Sequence, residues 1–275
     1  MGEGHSRKVE DVLRVIGLGL NNEDGISVQG LEEAKKAGVV FAEFYTSIMP
    51  ALSLDRLESL LGQKVKILCR RDIEEGAEDV ILKRACDEDV VLLVPGDPMT
   101  ATTHVDLRLR AEKRGIKTSV THAASISSAI VGATGLQNYK FGRTVTLPLV
   151  EEGGIPESPY EWINDNFRRG LHTLILLDLQ PEKNAFLSIP QALDQLAKVE
   201  EKKRTELITS DRLFIGAARV GSPDMEVKGG PFSFHLNHSY GSPPHSLVLP
   251  GKLHFMEKEA LKILVHVEDK FLEET

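Results

Sequence analysis

Short apolar runs alternate with amphipathic stretches through the first half of the chain, a rhythm that predicts strands and helices in turn. Residues 12–20 read as a first strand and 27–37 as a helix, with Ser27 as its cap and Gly38 as its stop. A strand is expected over 39–45, a helix over 52–61 and a third strand over 65–69. A helix over 72–85, a wholly apolar strand over 90–94, a helix over 105–114 and a strand over 116–121 complete the series. Such alternation implies a mostly parallel sheet covered on both faces.

Beyond Ser125 the pattern changes. A helix of small residues is expected over 126–133, and strands over 144–149 and 171–179 flank a helix around 160–169. Residues 191–202 read as helix, 213–220 and 245–248 as strands, and 256–272 as a closing amphipathic helix. Gly229-Gly230-Pro231 and Gly241-Ser242-Pro243-Pro244 read as turns. The fold class is therefore α/β in two domains: an amino-terminal one over 1–122, opened by a short flexible extension over 1–11, and a carboxyl-terminal one over 123–275.

Composition adds mainly exclusions. A chain of 275 residues accommodates two ordinary domains. It has no apolar run long enough for a membrane span, and residues 1–11 lack the apolar core of a secretion signal. Cys69 and Cys86 stand far apart without a metal or redox motif, so both are expected to be buried and reduced in a cytoplasmic protein. A net charge of −8 gives no reason to expect nucleic-acid binding, although local basic patches could receive a protein.

The segment from Leu93 to His104 is the most informative for chemistry: an apolar strand stops at Pro95-Gly96-Asp97-Pro98, and threonines and His104 follow. A rigid loop of this kind, at the carboxyl end of a parallel strand, is where ligands bind in α/β sheets. One carboxylate among hydroxyls suits a polar small molecule, and a plain strand-to-helix turn explains the loop equally well. Gly17-Leu18-Gly19-Leu20 fails the dinucleotide pattern, because Asn22 stands where the third glycine is needed. His235 and His238 have metal-like spacing but no third ligand in register, so no metal is expected. His104 and His122 each follow a strand and converge on one sheet end, and two prolines precede His245; a structural hydrogen-bonded role is the default for each. Neither a nucleophile elbow around Ser125, Ser127 and Ser128 nor a P-loop is present.

Several segments together resemble the diphthine synthase family. They are Ile16-Gly17-Leu18-Gly19-Leu20, Gly30-Leu31-Glu32, Ala42-Glu43-Phe44-Tyr45-Thr46-Ser47, the Pro95–Pro98 loop with Ala101-Thr102-Thr103-His104, and His122-Ala123-Ala124-Ser125-Ile126. Gly135-Leu136-Gln137-Asn138-Tyr139-Lys140-Phe141-Gly142, Gly170-Leu171-His172-Thr173-Leu174, Ala218-Arg219-Val220-Gly221 and Pro243-Pro244-His245 continue the match, which runs from about residue 12 to about 265. The resemblance implies a tetrapyrrole-methylase-like, class III methyltransferase fold of two domains, with S-adenosyl-L-methionine in a cleft between them, usually as a homodimer. The implied activity is repeated methylation of the amino group on a modified histidine of translation elongation factor 2, giving diphthine and S-adenosyl-L-homocysteine. Archaeal members stop at the trimethylated amine, eukaryotic ones add a methyl ester, and this chain looks more like the archaeal group. No metal, nucleic acid or membrane is implied. Carried over motif by motif, the cofactor would meet Leu20, Asp97, Thr100, Ser125, Ile126, Leu177, Val220 and His245; no catalytic residue is assigned.

Methyl transfer from a sulfonium is an in-line displacement, so the protein's task is alignment and a neutral acceptor amine. His104 and His122 are candidate proton acceptors, and small residues at Ala101, Ala123, Ala124 and Ser125 leave room for a growing ammonium. Two other readings stay open: a methyltransferase of the same fold acting on a tetrapyrrole, and a non-enzymatic module that binds a nucleoside.

Overall fold

A computed structural model describes residues 12–150 and 154–273; the extension expected over 1–11 lies outside the described residues. Contacts divide the chain into two compact units, Met1–Ser125 and Ile126–Thr275.

The first unit is a five-stranded, all-parallel sheet of order β3-β2-β4-β1-β5, with β1 Val12–Gly17, β2 Val39–Glu43, β3 Val65–Leu68, β4 Val90–Val94 and β5 Lys117–Thr121. Every residue of β2 and β4 is buried, as strands covered on two faces require. Alternate residues face opposite ways. Ile16, Val40, Ala42, Val91 and Leu93 pack with Ala34 and Leu57 of the helices that follow β1 and β2. Leu13, Val15, Phe41, Leu92 and Val94 pack with Ile81, Ala85, Leu107 and Ala111 of the helices that follow β3 and β4. Adjacent strands β1 and β4 thus send their connections to opposite faces, a topological switch point, and ligands bind outside the carboxyl ends there.

One helix expectation needs correction here and another holds. The helix expected over 72–85 is broken: Arg70–Glu74 ends where the amides of Glu75 and Gly76 both donate to Arg71 O, and a π-helical turn, Glu78–Leu82, leads into Lys83–Ala85. Glycine at 76 is the weak point of the pattern. The helix Val28–Lys35 has Ser27 as its cap, whose Oγ accepts from Gly30 N at 3.0 Å. It ends before Gly38, whose missing side chain leaves room for the Glu88 carboxylate. Both cysteines are exposed rather than buried. Cys69 caps the Arg70–Glu74 helix beyond an edge strand, and Cys86 ends a helix on its outer side, its thiol donating to Leu82 O.

The second unit holds a mixed sheet of order β11-β10-β12-β7-β6 and a small hairpin of β8 and β9. Its strands are β6 Val145–Leu147, β7 Thr173–Leu177, β8 Leu179–Gln180, β9 Ala185–Phe186, β10 Leu213–Ala218, β11 Glu226–Pro231 and β12 His245–Leu249. Ile175, Leu177, Phe214 and Leu247 face the helices Ser158–Arg168 and Ile189–Lys203, while Leu174, Ile215 and Val248 face Ile130 and Leu261 on the other side.

Gly229-Gly230-Pro231 is not a turn but the end of β11. A Cβ at Gly229 would lie 2.2 Å from Val267 Cγ2, and one at Gly230 3.0 Å from Phe234 Cδ1, so the glycines serve close packing inside a strand. The segment that presses on Gly229 also interrupts the closing helix. Phe255–Leu264 and Asp269–Glu273 are separate helices, and buried Val265 and Val267 flank His266, which has φ +60°.

Candidate functional site

Three segments interlock at the carboxyl edge of the first sheet. Gly19 and Gly96 form an antiparallel bridge, Gly19 N donating to Gly96 O at 3.2 Å and Gly96 N to Gly19 O at 2.7 Å. A Cβ at Gly17 would lie 2.6 Å from Gly96 O, 2.7 Å from Ala123 Cβ and 3.0 Å from Pro98 Cδ. The first glycine pair is therefore the seat on which the loops after β1, β4 and β5 close, and not a phosphate cradle.

Asp97 lies at the centre of this interlock and is only 8% exposed. Its Oδ1 accepts from Met99 N at 2.9 Å; its Oδ2 accepts from Ala123 N at 3.3 Å and pairs with His122 Nδ1 at 2.7 Å. Oδ1 keeps room for a second donor. Thr100 closes the turn, its amide donating to Asp97 O, and Leu20 follows the Gly19 bridge half-buried. Ser125, buried, ends the same unit.

A second carboxylate, to which the sequence assigns no role, organises the neighbouring edge. Glu43 ends β2 fully buried and collects four donors: Tyr45 N at 3.0 Å, Thr46 N at 3.1 Å, Thr46 Oγ1 at 2.5 Å and the buried His104 through Nε2 at 3.1 Å. Arg70 lies over the Tyr45 ring, 4.8 Å from its centroid. The signal available in the sequence was a glutamate closing the otherwise apolar run Val-Val-Phe-Ala-Glu, since a buried carboxylate needs such donors.

In the second unit, Leu177, Val220 and His245 meet at one sheet edge. Leu177 ends β7, His245 opens β12 opposite Ala218 of β10, and Val220 follows two residues later. Arg219, with φ +50°, fixes this corner by donating to Tyr240 O at 2.7 Å, Ser242 O at 2.6 Å and the Asp224 carboxylate at 2.7 Å. His245 is 6% exposed between the rings of Phe186 and Tyr240; the backbone of Ser242 and Gly241 approaches it, but neither ring nitrogen makes a hydrogen bond of good geometry. Burial holds it below the usual histidine range, hence neutral. An orphaned, buried imidazole fits a site for a small polar molecule, as does the spare acceptor on Asp97. Ile126 begins the Ile126–Thr134 helix of this unit.

Other singled-out residues serve the fold. His235 is fully buried, pairing with Tyr240 Oη at 2.7 Å and Phe214 O at 2.9 Å, and burial pushes it down to about 4. His238 pairs with Glu226 at 2.7 Å. The Tyr-Lys-Phe-Gly and Gly-Leu-His motifs meet at fully buried Glu257. Its carboxylate accepts from Gln137 N at 2.9 Å, His254 N at 2.8 Å, His172 Nε2 at 2.9 Å and the Lys140 ammonium. His172 Nδ1 accepts from Gly251 N, which makes the ring a neutral Nε2–H donor.

The tetrapyrrole (corrin/porphyrin) methylase family matches residues 12–230. Diphthine synthase of Methanocella arvoryzae is 45% identical over 253 residues, covering 92% of this chain and 98% of its own. That of Methanosarcina acetivorans is 44% identical over 269 residues, covering 96% and 100%. A crystal structure of diphthine synthase superposes with a TM-score of 0.86 at 36% identity, covering 95% of this chain and 99% of its own. On this near-complete overlap the chain belongs to the diphthine synthase family, within the tetrapyrrole methylases.

Proposed function

We propose that this protein is an S-adenosyl-L-methionine-dependent methyltransferase that successively methylates the amino group of the modified histidine of translation elongation factor 2, giving diphthine. The observation that carries this reading is the 45% identity over 92% of the chain to a diphthine synthase. The interlocked Asp97 loop and the orphaned His245 supply polar groups for a nucleoside-bearing ligand.

Leu20, Asp97, Thr100, Ser125, Ile126, Leu177, Val220 and His245 are the residues proposed to hold the cofactor. When bound, it supplies an activated methyl group and its own leaving group. What the chain contributes is alignment, to about 3–3.5 Å between acceptor nitrogen and methyl carbon, worth several orders of magnitude in rate. Gly17 and the Gly19–Gly96 bridge give the Asp97 loop the rigidity this needs. The working form is proposed to be a cytoplasmic homodimer, and no helix of the described residues is long and apolar enough to cross a membrane.

The test is transfer of a labelled methyl group to elongation factor 2 carrying the unmethylated precursor. Label on the factor supports the reading. Label on a porphyrinoid in its place favours the tetrapyrrole reading, and cofactor binding without transfer favours the non-enzymatic, nucleoside-binding one.

A further inference from the structure

The two histidines at the carboxyl edge of the first sheet have opposite surroundings. His104 is fully buried, with Nε2 committed to Glu43 and Nδ1 enclosed, so it has no route to a protein-borne amine. His122 is its converse: the side chain is 69% exposed, and only Nδ1 is engaged, 2.7 Å from the nearly buried Asp97 Oδ2. A carboxylate that takes the Nδ1–H of a histidine fixes the tautomer, turns the Nε2 lone pair outward and stabilises the imidazolium once formed. We propose that Asp97 and His122 form a dyad in which His122 Nε2 accepts the proton lost by the amine undergoing methylation. This rests on the methyl-transfer reading above.

The step balances. An acceptor ammonium gives one proton to Nε2, and its freed lone pair then attacks the methyl carbon. The carbon–sulfur bond breaks with its electron pair going to sulfur. The exposed imidazolium passes its proton to water and is ready for the next transfer. From the ammonium, three transfers release three protons, and the quaternary product has no N–H left to lose. The same carboxylate can also meet the cofactor, because the dyad uses Oδ2 while Oδ1 carries one partner, Met99 N. Among the described residues the charged group in contact with His122 is Asp97, from the β4 loop.

His122→Asn tests the dyad, since the asparagine amide can replace the Nδ1–H donor to Asp97 but cannot take a proton. In the unaltered protein without cofactor, imidazole nitrogen shifts in the magnetic resonance spectrum are expected to show the Nδ1–H tautomer; the Nε2–H tautomer would overturn the proposal. The variant is expected to keep cofactor affinity within about twofold by calorimetry. Its single-turnover first transfer at pH 7 should fall by roughly 10²-fold or more. The lower-pH inflection of its rate profile should vanish, and added imidazole should restore part of the rate. An unchanged profile overturns the dyad alone, as does a profile of unchanged shape with weakened cofactor binding. No transfer by the unaltered protein, with a verified acceptor, overturns the methyl-transfer reading and the dyad with it.

Discussion

Replacing Glu257 by Gln removes the charge at the centre of a buried polar network of the second unit. The native carboxylate receives two backbone amides, His172 Nε2 and the Lys140 ammonium while fully buried. Burial alone would raise its pKa. The His254 amide, Lys140, the Gln137 amide and His172 together outweigh that and hold it at about 2, against 4.5 ordinarily. At 1.36 kcal/mol per pKa unit the difference corresponds to roughly 3 kcal/mol. Glutamine keeps one acceptor and turns an amide donor toward other donors, leaving a largely buried ammonium uncompensated. Such losses cost roughly 3–5 kcal/mol. For a domain of this size, at about 2–4 °C per kcal/mol, the midpoint should fall by roughly 6–20 °C. Thermal melts followed by circular dichroism at pH 7 measure this. The sign of the pH dependence follows from the depressed folded-state value. The carboxylate's contribution is complete above pH 4.5 and disappears as pH falls toward 2, so the gap between native protein and variant should narrow across that window. A drop under about 2 °C at pH 7, or a gap that ignores pH, would refute the reasoning.

Three further outcomes follow from single observations. His245→Leu removes two unpaired buried nitrogens, so denaturant titration should show stability unchanged or higher by about 1–2 kcal/mol, while calorimetry should show cofactor binding weakened at least about tenfold; a large loss of stability would argue against an orphaned imidazole. Gly17→Ala forces a Cβ against Gly96 O and Ala123, which should cost about 1–3 kcal/mol in a urea titration and loosen the cofactor site with it. Both cysteines, being exposed, should react with a thiol reagent in the native protein, and burial of either would show as a thiol released only on unfolding.

The first unit was legible because its strands are read twice, once as apolar runs and once as the punctuation after them. Val90–Val94 was expected at its observed bounds, since a two-face-buried strand leaves no polar residue to blur its limits. The second unit was less so. Gly229 and Gly230 look like a turn until Val267 and Phe234 are seen occupying the space of their missing side chains, which is tertiary information. The closing helix has an unbroken amphipathic pattern, yet Val265 and Val267 are drawn into the core and His266 is turned out of helical geometry. Of the residues proposed to hold the cofactor, Asp97, Ser125 and His245 stand out in the sequence as loop-borne polar groups. Leu20, Leu177 and Val220 came only from resemblance, because an apolar side chain at a strand end carries no local sign of a ligand. Glu43 enters the sequence analysis only within a motif, because its donors, two backbone amides, the Thr46 hydroxyl and His104 from 61 residues away, converge on it only in the fold.

The central claim is tested most directly by mass spectrometry of elongation factor 2 bearing the unmethylated precursor, after incubation with this protein and S-adenosyl-L-methionine. Successive single-methyl increments confined to the modified histidine are expected, with a plateau that counts the transfers. An unchanged mass, with a verified acceptor and measurable cofactor binding, would contradict the account.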